Sequence, residues 1–184
     1  MDYFELIKNW HQRASSDTTD EYFSKYVFEY LAFIAFLRTQ LYPDTKRDVK
    51  AIQNLQIDER LRGKYLGLIE SSSELKDNWK VVIDKLIKNR LGNTSINVET
   101  VNEIEHWKCK SFNYNGQLIN KEDFDLRGVI CGYDDWDNMI NFWNAIRNNL
   151  FHGTKNPENP RDKFAVEYGY KTIKELVGIL INDT

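Results

Sequence analysis

Apolar residues recur at helical spacing through most of the chain. Tyr3, Leu6, Ile7 and Trp10 form one face of a short amphipathic helix over residues 3–10. A polar link, Ser15-Ser16-Asp17-Thr18, follows. Thr18 and Glu21 have the three-residue spacing of a capping box, opening a helix that runs to about Leu41 and stops at Pro43. That helix is apolar round most of its circumference (Phe23, Tyr26, Val27, Tyr30, Leu31, Phe33, Ile34, Leu37), which places it at the centre of the fold. Asp44 is suited to cap a next helix with Val49, Ile52 and Leu55 inward. A further piece, about 58–69, carries Leu61, Tyr65, Leu68 and Ile69. Ser71 and Glu74 repeat the capping box ahead of Leu75, Trp79, Val82, Ile83, Leu86 and Ile87, and Gly92 is placed as a C-terminal stop.

The pattern changes over residues 93–131. Asn115-Gly116 stands between apolar-containing stretches at 107–114 and 117–119, a hairpin-turn signal, so this region is expected to be an insertion with a small hairpin. Helical spacing returns at Asp134, expected as a cap with Asp137 supporting the first turn electrostatically. This helix runs to about Phe151, the loop 153–160 follows, and a last helix over about 161–181 packs Phe164, Tyr170, Ile173, Val177 and Leu180. The expected architecture is a single all-α helical bundle with a minor β element.

Composition narrows the function classes. With 25 Lys plus Arg against 28 Asp plus Glu, the net charge is -3, so a nucleic-acid site must be a local basic patch rather than a generally basic surface. The longest uncharged apolar run, residues 30–37, is far short of the roughly 18–20 residues that span a bilayer. Residues 1–5 lack the basic region of a secretory signal. Cys109 and Cys131 are too few for a disulfide framework, and a reducing cytoplasm is the expected compartment. No Gly-rich phosphate loop, GxSxG elbow or HExxH is present, which disfavours P-loop, serine-hydrolase and zincin chemistry.

On a wheel of about 100° per residue, Trp136, Met139, Ile140, Trp143, Ile146 and Leu150 form one apolar stripe, and Arg147 falls inside it. A guanidinium there must be paired, sit at a cleft or interface, or lie at the stripe's edge with its stem packed and its head turned to a carboxylate. Asn148 and His152 share a face but lie about 100° and 140° round from Arg147. Unwinding at His152 ahead of Gly153, or pairing across a twofold axis, would bring the groups together. A His at a helix end is also an ordinary dipole-stabilised cap.

The string Arg147-Asn148-Asn149-Leu150-Phe151-His152-Gly153 resembles the signature of the HEPN superfamily (higher eukaryotes and prokaryotes nucleotide-binding domain), an Arg and a His separated by four to six residues. The downstream Lys155-Asn156-Pro157, then Asn159-Pro160-Arg161-Asp162 and a closing helix, is similar to the loop of larger stand-alone members. The resemblance implies a HEPN-like bundle and a metal-independent endoribonuclease with no cofactor. Its active site would be composed at a homodimer interface, with an antitoxin or regulatory partner in a toxin or defence system. In that reading His152 serves as acid or base near neutrality. Arg147 neutralises charge at the phosphorane. Asn148 orients His152 or donates to phosphate, and Lys155 and Arg161 position RNA phosphates. The products are a 2′,3′-cyclic phosphate and a 5′-OH. In members paired with a nucleotidyltransferase antitoxin, a modifiable Tyr stands two residues after the His; here that place is Thr154, so that control is not expected. Two alternatives are a non-catalytic RNA- or nucleotide-binding or protein-interaction module of the same fold in a defence or stress system, and a helical dimerisation protein in which Arg147 is a structural ion-pair partner.

Other groupings have simpler readings. His106, Cys109 and Cys131 lack the second close pair of a zinc site, and a structural Cys with a surface His accounts for them. Asp134, Asp135 and Asp137 fit helix capping rather than ion binding. His11 is expected at the surface. Lys46, Arg47, Lys80, Lys85, Lys88 and Arg90 are expected on solvated faces.

Overall fold

The computed structural model describes residues 2–16, 21–88, 92–94, 104–106, 110–112, 118–120, 128–153 and 156–183. They form a helical bundle. Helix α1 (Tyr3–Ser16) is capped by Asp2, whose carboxylate accepts from the backbone N–H of Phe4 at 2.9 Å. It runs past the expected end at residue 10 because Ala14, two turns after Ile7, continues the buried face. Helix α2 (Tyr22–Phe36) leads into a π-helical turn, Leu37–Leu41, closed by Tyr42 N–H on the Leu37 carbonyl at 2.7 Å, just ahead of Pro43. Thr18, half of the expected capping box, lies outside the described residues.

Helix α3 (Asp48–Gln56) starts later than an Asp44 cap requires. A Tyr42–Thr45 turn intervenes, with Thr45 N–H and Oγ1 both on the Tyr42 carbonyl, and no side chain caps α3. Asp58 caps α4 (Glu59–Ser71) through Leu61 N–H at 3.0 Å. At α5 (Ser73–Lys88) the cap is Ser72, not Ser71, which still belongs to α4 and donates its hydroxyl back to the Gly67 and Leu68 carbonyls. Residues 89–91, between α5 and the expected stop, lie outside the described residues, and Gly92 opens a strand.

Within the expected insertion, β1 (Gly92–Thr94) pairs antiparallel with β2 (Ile104–His106), and β3 (Lys110–Phe112) with β4 (Leu118–Asn120). The Asn115-Gly116 turn lies outside the described residues. At the end of the expected insertion, Val129 and Ile130 are buried and Ile130 joins the main core. Helix α6 (Trp136–Phe151) follows Asp135, not Asp134. The Asp135 carboxylate accepts from Cys131 N–H at 2.7 Å and from the Asn138 amide at 2.8 Å, tying the incoming chain to the helix. Helix α7 (Pro160–Asn182) has Pro at its first position and Asn159 accepting from Arg161 N–H at 2.8 Å.

Trp143 marks the centre. Its ring meets Phe33 of α2, Tyr65 of α4, Trp79 of α5 and Trp136 of its own helix, and its Nε1–H donates to Thr172 Oγ1 of α7 at 2.9 Å. α6 therefore shares the centre that the apolar pattern assigned to α2. Burying an aromatic of this size while satisfying its N–H holds five helices to one point. Among the described residues, no helix is long and apolar enough to cross a membrane.

Candidate functional site

The end of α6 follows from Gly153, whose φ of +67° ends the helix where an L side chain would be strained. Gly153 N–H closes on the Leu150 carbonyl and His152 N–H on the Asn148 carbonyl, both at 3.0 Å. His152 leaves helical geometry at φ -87° and ψ 4°. Its imidazole is exposed and makes no hydrogen bond or ion pair among the described residues.

One turn earlier, Arg147 sits at the edge of the buried stripe, its side chain 33% exposed. Its Nη1 donates to Asn148 Oδ1 at 3.0 Å, its Nη2 lies 3.8 Å from Asp48 Oδ2 of α3, and the guanidinium stands 5.0 Å from the Phe151 ring centre. Asp48 Oδ1 accepts a closer bond, 3.0 Å, from Arg38 Nη1 on the π turn. The carboxylate is thus shared unequally, and Arg147 is the loosely held partner. Exposed pairs of this kind contribute at most about 1 kcal/mol, so the arrangement does little to hold the fold together.

Beneath it, the backbone carbonyl of Trp143 accepts from the buried Tyr26 hydroxyl. That carbonyl belongs to the turn carrying Arg147, so α2 fixes the turn from below. The Tyr30 hydroxyl donates weakly to Asn144 Oδ1 at 3.4 Å; burial pushes this phenol's pKa well above its ordinary range, with Arg147 opposing and Asp48 adding to the rise. Tyr30 is a neutral hydroxyl here, not a base.

The structure separates some residues that the motif groups. The Asn148 side chain bonds Arg147, while only its backbone carbonyl meets His152, through the backbone N–H. Among the described residues no hydrogen bond joins the Arg147 and His152 side chains. Arg161 is exposed in the first turn of α7, and Lys155 lies outside the described residues, as do Thr154 and Cys109. Asp48, Arg38 and the exposed Phe151 ring were not legible as site residues. The only sequence hint was a charged cluster, Lys46, Arg47 and Asp48, opening α3.

A separate groove of about 760 Å³ lies between the start of α2 and the loop before α7. Among the described residues lining it, Glu21, Glu158 and Glu167 stand against Lys163, a charge of the wrong sign for a phosphate backbone. Among the described residues no group of three or more His, Cys, Asp or Glu is placed to hold a metal ion. Comparison with protein-family models, curated proteins and solved structures gives no match for this chain.

Proposed function

We propose that the chain is a HEPN-type, metal-independent endoribonuclease whose active site is shared across a homodimer. The observation that carries this reading is the end of α6. There an exposed imidazole, without a hydrogen bond or ion pair among the described residues, stands close along the helix to an incompletely neutralised guanidinium. RNA supplies its own nucleophile, the 2′-OH. A protein needs only to move that proton, return one to the departing 5′-oxygen and stabilise the charged phosphorane. His152 transfers the protons and Arg147 binds the non-bridging oxygens through its planar fork. Since no hydrogen bond joins the two among the described residues of one chain, this reading has a second copy supply the complementary group. Lys155 and Arg161 belong to the same reading as peripheral RNA contacts.

The test is cleavage of short single-stranded RNA by pure protein, with EDTA present. Cleavage is expected to persist and to yield 2′,3′-cyclic phosphate and 5′-OH ends. His152→Ala is expected to lower the rate about 10²–10⁴-fold, the usual range for losing acid–base catalysis. Its melting temperature should not move, because the side chain is exposed. Cleavage by His152→Ala at the parent rate rejects the assignment.

One observation favours a second reading, a non-catalytic RNA-, nucleotide- or protein-binding module. The Asn148 side chain is committed to Arg147, so it does not orient His152 among the described residues. That reading predicts no cleavage, with RNA bound in an Arg147-dependent manner.

A further inference from the structure

We infer that Arg38 and Phe151 form a recognition subsite for one unpaired nucleotide beside Arg147, Arg38 holding a phosphate and the Phe151 ring stacking on a base. The inference deepens the ribonuclease reading and rests on it for the identity of the polymer. Three observations carry it. First, Arg38 and Arg147 meet opposite oxygens of one carboxylate, Asp48, so two positive charges share one negative and a net positive charge remains. The Arg38 side chain is 43% exposed and its second terminal nitrogen, Nη2, is not used in the bond to Asp48. On a body of net charge -3, this is a local excess of the sign a phosphate backbone needs.

Second, Phe151 is 57% exposed although it is a large apolar ring on the helix that supplies much of the core. It lies against the Arg147 guanidinium and offers an outward surface of the kind on which unpaired bases stack. Third, Arg147 can only donate hydrogen bonds, so its contact fixes Asn148 with Oδ1 inward. The Nδ2 of Asn148 then faces away from the guanidinium as a donor. Two guanidiniums, an amide donor and an exposed ring together select a ligand rich in acceptors with a free aromatic face. A single strand offers both, whereas a duplex stacks its base faces on one another.

The experiment measures binding of a short 2′-O-methyl oligouridylate, which lacks the attacking hydroxyl, between 50 and 200 mM salt, in parallel with cleavage of unmodified RNA. For Arg38→Gln the slope of log affinity on log salt is expected to become shallower by about 0.7, the value for one phosphate contact on a single strand. Arg38→Lys keeps the charge and should keep the slope. Phe151→Ala should weaken binding about five- to a hundredfold with the slope unchanged. A duplex of matching length should bind the parent protein at least tenfold more weakly. An unaltered slope in Arg38→Gln, unaltered affinity in Phe151→Ala, or equal binding of duplex each overturns the subsite; His152-dependent cleavage would then still uphold the ribonuclease. Conversely, Arg38- and Phe151-dependent binding without cleavage of unmodified RNA keeps the subsite and removes the enzyme. Absence of any binding by the parent protein overturns the subsite, and absence of cleavage as well overturns the ribonuclease.

Discussion

Glu29 is fully buried in α2, and one of its carboxylate oxygens, Oε2, has no hydrogen-bond partner among the described residues. The other accepts from His11 Nδ1 of α1 at 2.7 Å, so the expected surface His is instead a partner to a buried acid. Lys174, Glu175 and Tyr170 of α7 face the same pair. Burial raises the Glu29 pKa above 4.5, and the hydrogen bond to Glu29 raises that of His11 above 6.5. Both shifts have one sign for stability. A raised Glu holds its proton longer in the folded than in the unfolded chain, so stability falls as pH rises from about 4.5 through its folded value. A raised His adds stability that is complete below 6.5 and is lost as pH climbs through its folded value. Urea midpoints are therefore expected to decline from mildly acidic toward mildly alkaline pH. His11→Gln is expected to flatten the upper part of that decline. A parent midpoint that rises over the same interval contradicts the pairing.

At the scale of elements, the close approach of α7 to α2 and α6 depends on Gly169. A Cβ there would lie 2.7 Å from Ile146 Cδ1 and 2.8 Å from the Tyr26 ring. Gly169→Ala gains about 1 kcal/mol of helix propensity. It must also displace a ring anchored by its hydroxyl to α6, at an overpacking cost of about 1–3 kcal/mol. Net destabilisation is expected in equilibrium unfolding, together with weaker activity as Tyr26 shifts the turn bearing Arg147. A stabilised Gly169→Ala would show that the contact is loose. This approach explains what the sequence makes legible. Stripes such as Leu75, Trp79, Val82 and Leu86 reveal helices because burial repeats with the helix period. Gly153 reveals the end of α6 because only glycine takes that φ cheaply. Caps slip by one residue, Ser72 for Ser71 and Asp135 for Asp134, because adjacent polar residues are equally able caps until the incoming chain chooses one. The Arg38–Asp48–Arg147 arrangement is invisible for a different reason. It joins three segments through tertiary contact, and no periodicity records which carboxylate a guanidinium will meet.

At the scale of the whole molecule, the proposed ribonuclease reading requires two copies to complete one site. In a single chain Arg147 faces Asp48 and Asn148, while the His152 imidazole at the helix end makes no hydrogen bond or ion pair among the described residues. If the proposed site is built by two copies related by a twofold axis, a guanidinium from one subunit can serve beside an imidazole from the other. This makes a prediction that no single-chain mechanism shares. Arg147→Ala and His152→Ala should each be inactive alone, yet a mixture that exchanges subunits should cleave RNA. Random pairing makes roughly half of the dimers mixed, and each mixed dimer holds one intact guanidinium and one intact imidazole on different chains. Recovery should consequently stay below about half of the parent rate, and lower still if both imidazoles are needed for the two proton transfers. Mixed dimers verified by differential tagging that remain inactive would place Arg147 and His152 in service of one chain, or of no reaction at all.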